Sequence, residues 1–586
     1  MSAPTSPTLL SEADPAASCF FNALLRESQG WHLDTTMHGD LAILPVDDGE
    51  LHLRLHHRSA SGECRFQWPV LWLKDGTPRA VDFATALERI LATPALVGEL
   101  AAEARSIFRE RVLESRTNTQ ASLDARDDLG HLQQGPLNFA EAEQGLLAGH
   151  AFHPAPKSRS PFSEAEAQAF CPEHRARFGL AWWALAPELR AGDTSRDARA
   201  TELALGLLPE VLAEHLPDGF SVLPMHPWQA QRLHQLPWVQ EQQRNGRLHW
   251  LGHSEPDWLP TSSHRSLYAP GVPWMVKGSL SARLTNSLRL LSVKEVQRGL
   301  HLDHWMRELN VAQRFPGFAV MQEPAWLGWR DANGAVDPAS LVVLRENLLA
   351  DAADSEAVVL ATLTQQPLVA GGQSLLSARL RAKAHSLGMP LAQVARGWFT
   401  AFCERVLTPL FGLAVEDGIV LLAHQQNIVL RLDDGWPVGM FYRDCQGSGV
   451  GDRFLERHPQ LEQPPENHWP PATLRRYFLY YLLINSTFAV TSALAADGLV
   501  DEATLLVDLR AHLEGLQERL DGDLDCLNHA LNAHHLEAKG NFFCYLSGVN
   551  EATLAEPARL YLPLANPLAT VRAASANTTH LQGVPA

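Results

Sequence analysis

Hydrophobic residues alternate with polar ones early in the chain and recur at helical spacing through most of its last third. Leu51-His52-Leu53-Arg54-Leu55 sends every second side chain to one face, the period of a half-buried strand, and residues 64–73 predict another strand. Residues 82–116 carry apolar positions three and four apart and predict helix. Residues 274–280 and 284–291 predict strands, 293–308 a charged amphipathic helix, and Arg330-Asp331-Ala332-Asn333-Gly334 a turn. Beyond about 352 the pattern is mostly helical, interrupted by one sharp hairpin: 428–432, the turn Asp433-Asp434-Gly435, then 438–443. Pairing across that turn sets Asn427 and Asp444 near each other at one end of two antiparallel strands. The apolar stretch 477–496 includes Asn485, Ser486, Thr487, Thr491 and Ser492, and reads as a buried amphipathic helix rather than a membrane span.

A chain of 586 residues exceeds what one core supports, so two to four domains are expected. The composition, 46% hydrophobic and 19% charged, is that of a globular enzyme. A formal charge of −18 argues against a nucleic-acid partner, which needs a basic face, but leaves room for a local basic cleft that gathers small anions. The seven cysteines are widely spaced, odd in number and without a C-x-x-C pair. This argues against a disulfide framework or zinc knuckle and for a reducing compartment, and the first fifteen residues lack the basic start of a signal peptide. The expectation is a cytoplasmic protein with no membrane association.

Against that acidic background the cations gather in two short stretches. One is Gly149-His150-Ala151-Phe152-His153-Pro154-Ala155-Pro156-Lys157-Ser158-Arg159, within a Pro- and Ser-punctuated loop expected to be ordered. The other begins at Ser263-His264-Arg265-Ser266 and continues through Lys277, Arg283 and Arg289. Lys277, Arg283 and Arg289 sit among valines and leucines, and a buried cation is costly without a partner, so an anionic ligand is the expected partner. Further on, His424, Gln426 and Asn427 open the hairpin, and Arg443-Asp444 closes it. A carboxylate and an amide there are competent to hold a divalent metal beside polyanions such as ATP and a polycarboxylate. Gly447-Ser448-Gly449-Val450-Gly451 has the look of a nucleotide loop, but with no clear helix after it the expectation is a flexible connector. There is no Walker A sequence, no H-E-x-x-H and no G-x-S-x-G.

Several long stretches are more specific: LNFAEAEQGLLAGHAFHPAPKS (137–158), HPWQ (226–229), SLSARLTNSLRLLSVKEVQRG (279–299) and LLAHQQNIVL (421–430). YRDCQGS (442–448), YYLLINSTFAVT (480–491), KGNFFCYL (539–546) and Asn566-Pro567-Leu568 complete the set. By these residues the chain resembles, essentially end to end, the NRPS-independent siderophore synthetase family, in the branch that joins citrate to N6-acetyl-N6-hydroxylysine. The resemblance implies an α+β, three-domain cupped hand: thumb 1–172, fingers 173–352 and palm 353–586, with ATP and citrate between fingers and palm. It implies activation of a citrate carboxylate as an acyl adenylate, attack by the amine, and a homo-oligomer (a dimer or dimer of dimers). Carried over residue by residue, it gives ATP to His153, Lys157, Arg159, Ser263, Arg265, Ser266, Lys277, Gln426, Asn427 and Asp444. Citrate falls to Thr285, Asn286, Arg289 and His424, Mg²⁺ to Asn427 and Asp444, and catalysis to Arg289, His424 and Lys277. The pattern departs from the family at Leu422 and Gln425, where many members carry Glu and Gly. Alternatives are the same chemistry on another hydroxamate amine, of schizokinen or rhizobactin type, and a citrate-binding protein without chemistry.

Overall fold

The early alternation folds into a five-stranded antiparallel sheet in chain order, from strand His32–Thr36 to strand Thr77–Val81. Leu51, Leu53 and Leu55 point into its core while Arg54 faces solvent, as a period of two requires. The computed structural model describes residues 13–571, apart from 37–38, 286, 462–463, 465–466, 550–553 and 555. Helix Pro15–Glu27 fills the sheet's inner face with Phe20 and Phe21, and Phe542 and Tyr545 from helix Asn541–Ser547 enter the same core. The helical stretch expected over 82–116 is three helices, Phe83–Ala92, Pro94–Val97 and Ala102–Asp124. Gly98, at φ 76°, makes the second break, a conformation that disfavours residues with a side chain.

The middle of the chain builds a six-stranded antiparallel sheet. Its order is Leu259–Pro260, Ser266–Tyr268, Trp274–Gly278, Val342–Glu346, Ala325–Trp329 and Arg190–Thr194. It shares a core with a three-stranded sheet carrying the fully buried Trp182 and Trp183. The strand expected at 284–291 is instead a tight ribbon, Leu280–Leu284 against Ser287–Arg289. Helix Val293–Glu308 begins with a capping box: Ser292 Oγ accepts from Glu295 N at 3.3 Å and Glu295 Oε2 accepts from Ser292 N at 2.9 Å.

The last third is helical around more strand than the sequence suggested. Strands Ile428–Asp433 and Trp436–Tyr442 form the expected hairpin, closed by Asp434 and Gly435 at φ 46° and 76°, the two positive values of a type I′ turn. Ala357–Val359 and Phe318–Val320 extend it to four strands, the latter in parallel. Residues 447–451 are no flexible connector: Ser448–Val450 is a buried strand paired with Ile419–Leu421, and helix Asp452–Arg457 follows. Its glycines allow close packing, since a Cβ at Gly449 would overlap the Trp469 indole. The stretch 477–496 lies in a continuous helical run, Pro471–Ala496, whose apolar window is 89% buried inside the protein. The run Leu391–Asp417 is also long and apolar enough to cross a membrane, and its window is 72% buried, so both serve as core helices.

Candidate active site

Strand pairing brings the two cationic stretches together. The short strand Arg159–Ser160 joins the edge of Leu280–Leu284, placing Arg159 opposite Leu284, and Thr285 N donates to Ser158 O at 3.2 Å. Ser266 pairs with Lys277 across neighbouring strands of the middle sheet. From the other side, Arg443 N donates to Asn427 O at 3.1 Å at the open end of the hairpin. Between these elements lies a cavity of about 280 Å³. Every predicted site residue that the structure describes lines it: His153, Lys157, Arg159, Ser263, Arg265, Ser266, Lys277, Thr285, Arg289, His424, Gln426, Asn427 and Asp444. Asn286 lies outside the described residues.

The buried cations are not all waiting for a ligand. Lys277 Nζ donates to Glu323 at 3.0 and 3.2 Å and to Asp444 Oδ1 at 2.5 Å. Arg345 reaches the same Glu323 oxygen at 2.6 and 2.9 Å. Burial alone would favour protonating Asp444, but Lys277, Arg345 and Arg265 outweigh it and hold the carboxyl well below its ordinary range. Lys157 Nζ likewise donates to Glu173 at 2.6 Å and to Leu146 O at 2.5 Å, with Arg159 at 3.8 Å and His264 at 3.5 Å from the same carboxylate. Glu173 is buried, yet these cations keep it ionised well below the usual range. Arg283 is exposed, so it does not need a ligand at all.

Arg265 and Arg289 are different. Neither has a carboxylate within 4.0 Å among the described residues; Arg265 donates to Arg289 O at 3.2 Å and to Gln446 Oε1 at 3.4 Å. Arg289 Nη2 donates to Leu284 O and Thr285 Oγ1, both at 3.1 Å, and its buried Nε has no partner among the described residues. Burial and the neighbouring Arg265 push the Arg289 guanidinium down to about 10. It remains charged at neutral pH, beside a second cation, in the arrangement of an anion site.

The remaining side chains supply polar contacts. Ser263 Oγ lies 3.0 Å from Thr261 Oγ1 and accepts from Ser266 N at 3.2 Å, fixing the turn before the strand. Gln426 Nε2 donates to Ser262 Oγ at 3.1 Å, and Asn427 Nδ2 donates to Leu422 O at 3.4 Å. His153 Nδ1 accepts from Ala155 N at 3.0 Å, and its ring meets Tyr545 edge-on at 4.9 Å. His424 is pushed down to about 4, mainly by burial, and is neutral at physiological pH. Its Nδ1 accepts from Gln426 N at 3.3 Å, which leaves the Nε2 proton free to donate.

Three cavity residues carry backbone strain. His264, Thr285 and Asp444 stand at φ 64°, 54° and 79°, a region that suits glycine and is least tolerated by a β-branched threonine. Such outliers persist where surrounding structure holds them, commonly at functional sites.

The carboxylate half of the site escaped the sequence reading. Glu323, Glu173, Arg345 and Glu143 were not singled out, although Arg345 and Glu323 lie beside apolar strands just as Lys277 does. The criterion that selected Lys277 would have found Arg345, a cation in the run Val342-Val343-Leu344, but not Glu323. Glu143 ion-pairs with Arg443 and accepts from Ser262 N at 2.8 Å, tying the hairpin to helix Phe139–Gln144.

Comparison with known proteins adds lineage to this geometry. The model of the IucA / IucC family matches residues 138–365, and that of the ferric iron reductase FhuF-like transporter family matches 396–554. N(2)-citryl-N(6)-acetyl-N(6)-hydroxylysine synthase of Escherichia coli is 41% identical, covering 96% of this chain and 99% of its own. The protein of the same name from Vibrio mimicus is 40% identical, covering 95% and 96%. The solved structure of ATP-bound aerobactin synthetase IucA from Klebsiella pneumoniae superposes with a TM-score of 0.89 at 40% identity, covering 95% and 99%.

Proposed function

The chain belongs to the IucA / IucC family, and from that membership we propose that it condenses citrate with N6-acetyl-N6-hydroxylysine at the expense of ATP, through a citryl adenylate. The observation that carries the reading is the pair Arg265 and Arg289, two neighbouring guanidinium groups without a carboxylate partner among the described residues, in a cavity where Lys157, Lys277, Arg345 and Arg443 already have one. Two polyanions must meet for a carboxylate to be activated, and these groups offset their repulsion.

A carboxylate acylates poorly at neutral pH because its leaving group would be oxide. Attack of a citrate oxygen on the α-phosphorus of ATP expels pyrophosphate and turns that oxygen into part of a good leaving group. The amine nitrogen then attacks the activated carbonyl carbon, the bond to AMP breaks, and the nitrogen loses a proton. Lys277 enters this chemistry already fixed by Glu323, so its charge is aimed before ligand arrives. Neutral His424 suits a hydrogen bond to citrate, and Arg289 reaches both anions.

Mg²⁺ fits the donor set. Asp444 uses only Oδ1 toward Lys277 and Arg345, leaving Oδ2 and the Asn427 amide on the cavity wall to hold the ion. One carboxylate suffices where phosphates and water complete the coordination. The bound ion would neutralise phosphate charge.

The division into 1–172, 173–352 and 353–586 belongs to this reading, supported in part by three large cores, of which the last also takes in residues from 132–148 and 302–320. So do a homo-oligomeric state, which rests on the resemblance, and a cytoplasmic location, which seven buried cysteines without a disulfide framework favour.

The test is exchange of labelled pyrophosphate into ATP with citrate present and amine absent. ADP and phosphate as stoichiometric products would sink the adenylate. A panel of hydroxamate amines, products weighed by mass spectrometry, checks the amine: preference for a diaminopropane derivative would overturn N6-acetyl-N6-hydroxylysine.

A further inference from the structure

The cavity contains one open charge of the opposite sign. Glu63, 6% exposed, lines it on the turn between strands Gly49–Arg58 and Cys64–Lys74. Unlike Glu173 and Asp444, it has no cation within 4.0 Å among the described residues. Gln366 Nε2 donates to its Oε1 at 3.3 Å, while no described hydrogen bond engages Oε2. Arg26 feels the charge of Glu63 but makes no ion pair with it: it donates to Ser61 O at 3.0 Å and lies 3.0 Å over the Phe152 ring.

The turn is built to hold this carboxylate still. Ser59 N donates to Glu63 O at 2.7 Å, closing the turn, and Glu502 accepts from Ser59 Oγ at 2.5 Å and Ala60 N at 2.9 Å. Gln366 also donates to Cys64 O at 3.1 Å, so one side chain orients both the strand start and the carboxylate. A buried carboxylate aimed into a cavity without a counter-charge is destabilising by itself and calls for a cation.

The geometry points to Glu63 as the anchor for the ammonium group of the incoming amine. This rests on the proposed function: the α-ammonium of N6-acetyl-N6-hydroxylysine, which sits beside that molecule's own carboxylate and gives up a proton before it attacks, is the one cationic group that the three organic substrates carry. The cavity's unmatched charges follow the same division: Arg265 and Arg289 for the anions, Glu63 for the ammonium. Glu63 belongs to the N-terminal sheet, while the anion-binding groups come from the rest of the chain. Amine selection is thereby placed on a different sheet from the Arg265 and Arg289 pair.

Glu63→Gln keeps the side chain's shape and an acceptor for Gln366 but removes the charge. KM for N6-acetyl-N6-hydroxylysine should rise about 10- to 100-fold, the loss expected for a charge-assisted contact. Citrate-dependent pyrophosphate exchange should persist, as should trapping of activated citrate by hydroxylamine, which is uncharged at pH 7.5. An unchanged amine KM, or a loss of exchange in step with amine turnover, would overturn the assignment. Should the Gln variant fail to fold, Glu63→Asp carries the test, with a shortened arm expected to raise the amine KM at least severalfold and no change overturning it. Failure of the parent reading shows separately, as absence of exchange in the unaltered enzyme. Calorimetric binding of the amine to both forms then still decides Glu63, equal affinity being the adverse result.

Discussion

Lys277 Nζ and Asp444 Oδ1, 167 residues apart in the chain, meet at 2.5 Å and join the middle sheet to the end of the hairpin. Asp444→Asn keeps an oxygen in place but removes the hard anion, and Lys277 retains Glu323. The Mg²⁺ concentration for half-maximal rate should rise about tenfold, with citrate KM changing less. Collapse of citrate binding without recovery at high Mg²⁺ would assign Asp444 another role.

Arg289→Ala should lower the rate by about 10²–10³ while leaving the fold intact, because its contacts are two hydrogen bonds and no ion pair. Arg289→Lys should restore little, since an ammonium does not reproduce the planar fork. Near-normal turnover in the alanine variant would remove Arg289 from the site.

Lys157 should prove a stability residue as much as a ligand. Lys157→Met strips Glu173 of its nearest cation inside the protein, and loss of one partner of a buried pair typically destabilises by about 3–5 kcal/mol. Thermal unfolding without ATP should show it, and Lys157→Met/Glu173→Gln should be less damaged than the sum of the two single changes. Additive losses would mean that the pair does not act as a unit.

His150 and His226 are pushed down to about 3 and His424 to about 4, in each case mainly by burial. Below an ordinary value near 6.5 the unfolded chain takes up protons that the folded state refuses. Stability is therefore complete above about pH 6.5 and falls progressively toward pH 3. Denaturant titrations across that range should show the slope. His226→Asn, which keeps a side-chain cap for Trp228 N but does not titrate, should flatten it. An unchanged slope would show that His226 is not buried neutral.

Gly449→Ala should destabilise by about 1–3 kcal/mol, because the new methyl overlaps the Trp469 ring. Unaltered stability together with unaltered Trp469 fluorescence would contradict the packing described for strand Ser448–Val450.

Local patterns carried much of the architecture. The hairpin around Asp434-Gly435, the alternating strand at Leu51 and helix Val293–Glu308 each rest on signals a few residues long. Strand Ser448–Val450 was missed because three glycines in five residues suggest a loop, and the close contacts that call for two of them, Trp469 at Gly449 and Leu474 at Gly451, lie about twenty residues further on. The cationic half of the cavity was legible because clustered charge stands out in an acidic chain. Its counterpart was not, since Glu323, Glu173 and Glu63 are single carboxylates whose partners lie tens to hundreds of residues away. Nothing local distinguishes them from the acids of a solvated surface.

The left-handed backbone at His264, Thr285 and Asp444 bears on how this enzyme would respond to directed evolution. Relaxing each position is worth on the order of 1–3 kcal/mol, so a screen for heat resistance alone should enrich glycine or asparagine there. The same substitutions would delete the Thr285 hydroxyl that steadies Arg289, and the Asp444 carboxylate. Heat-tolerant lineages selected without substrate pressure would therefore drift toward well-folded proteins with weakened anion and metal binding, beginning at Thr285 and Asp444.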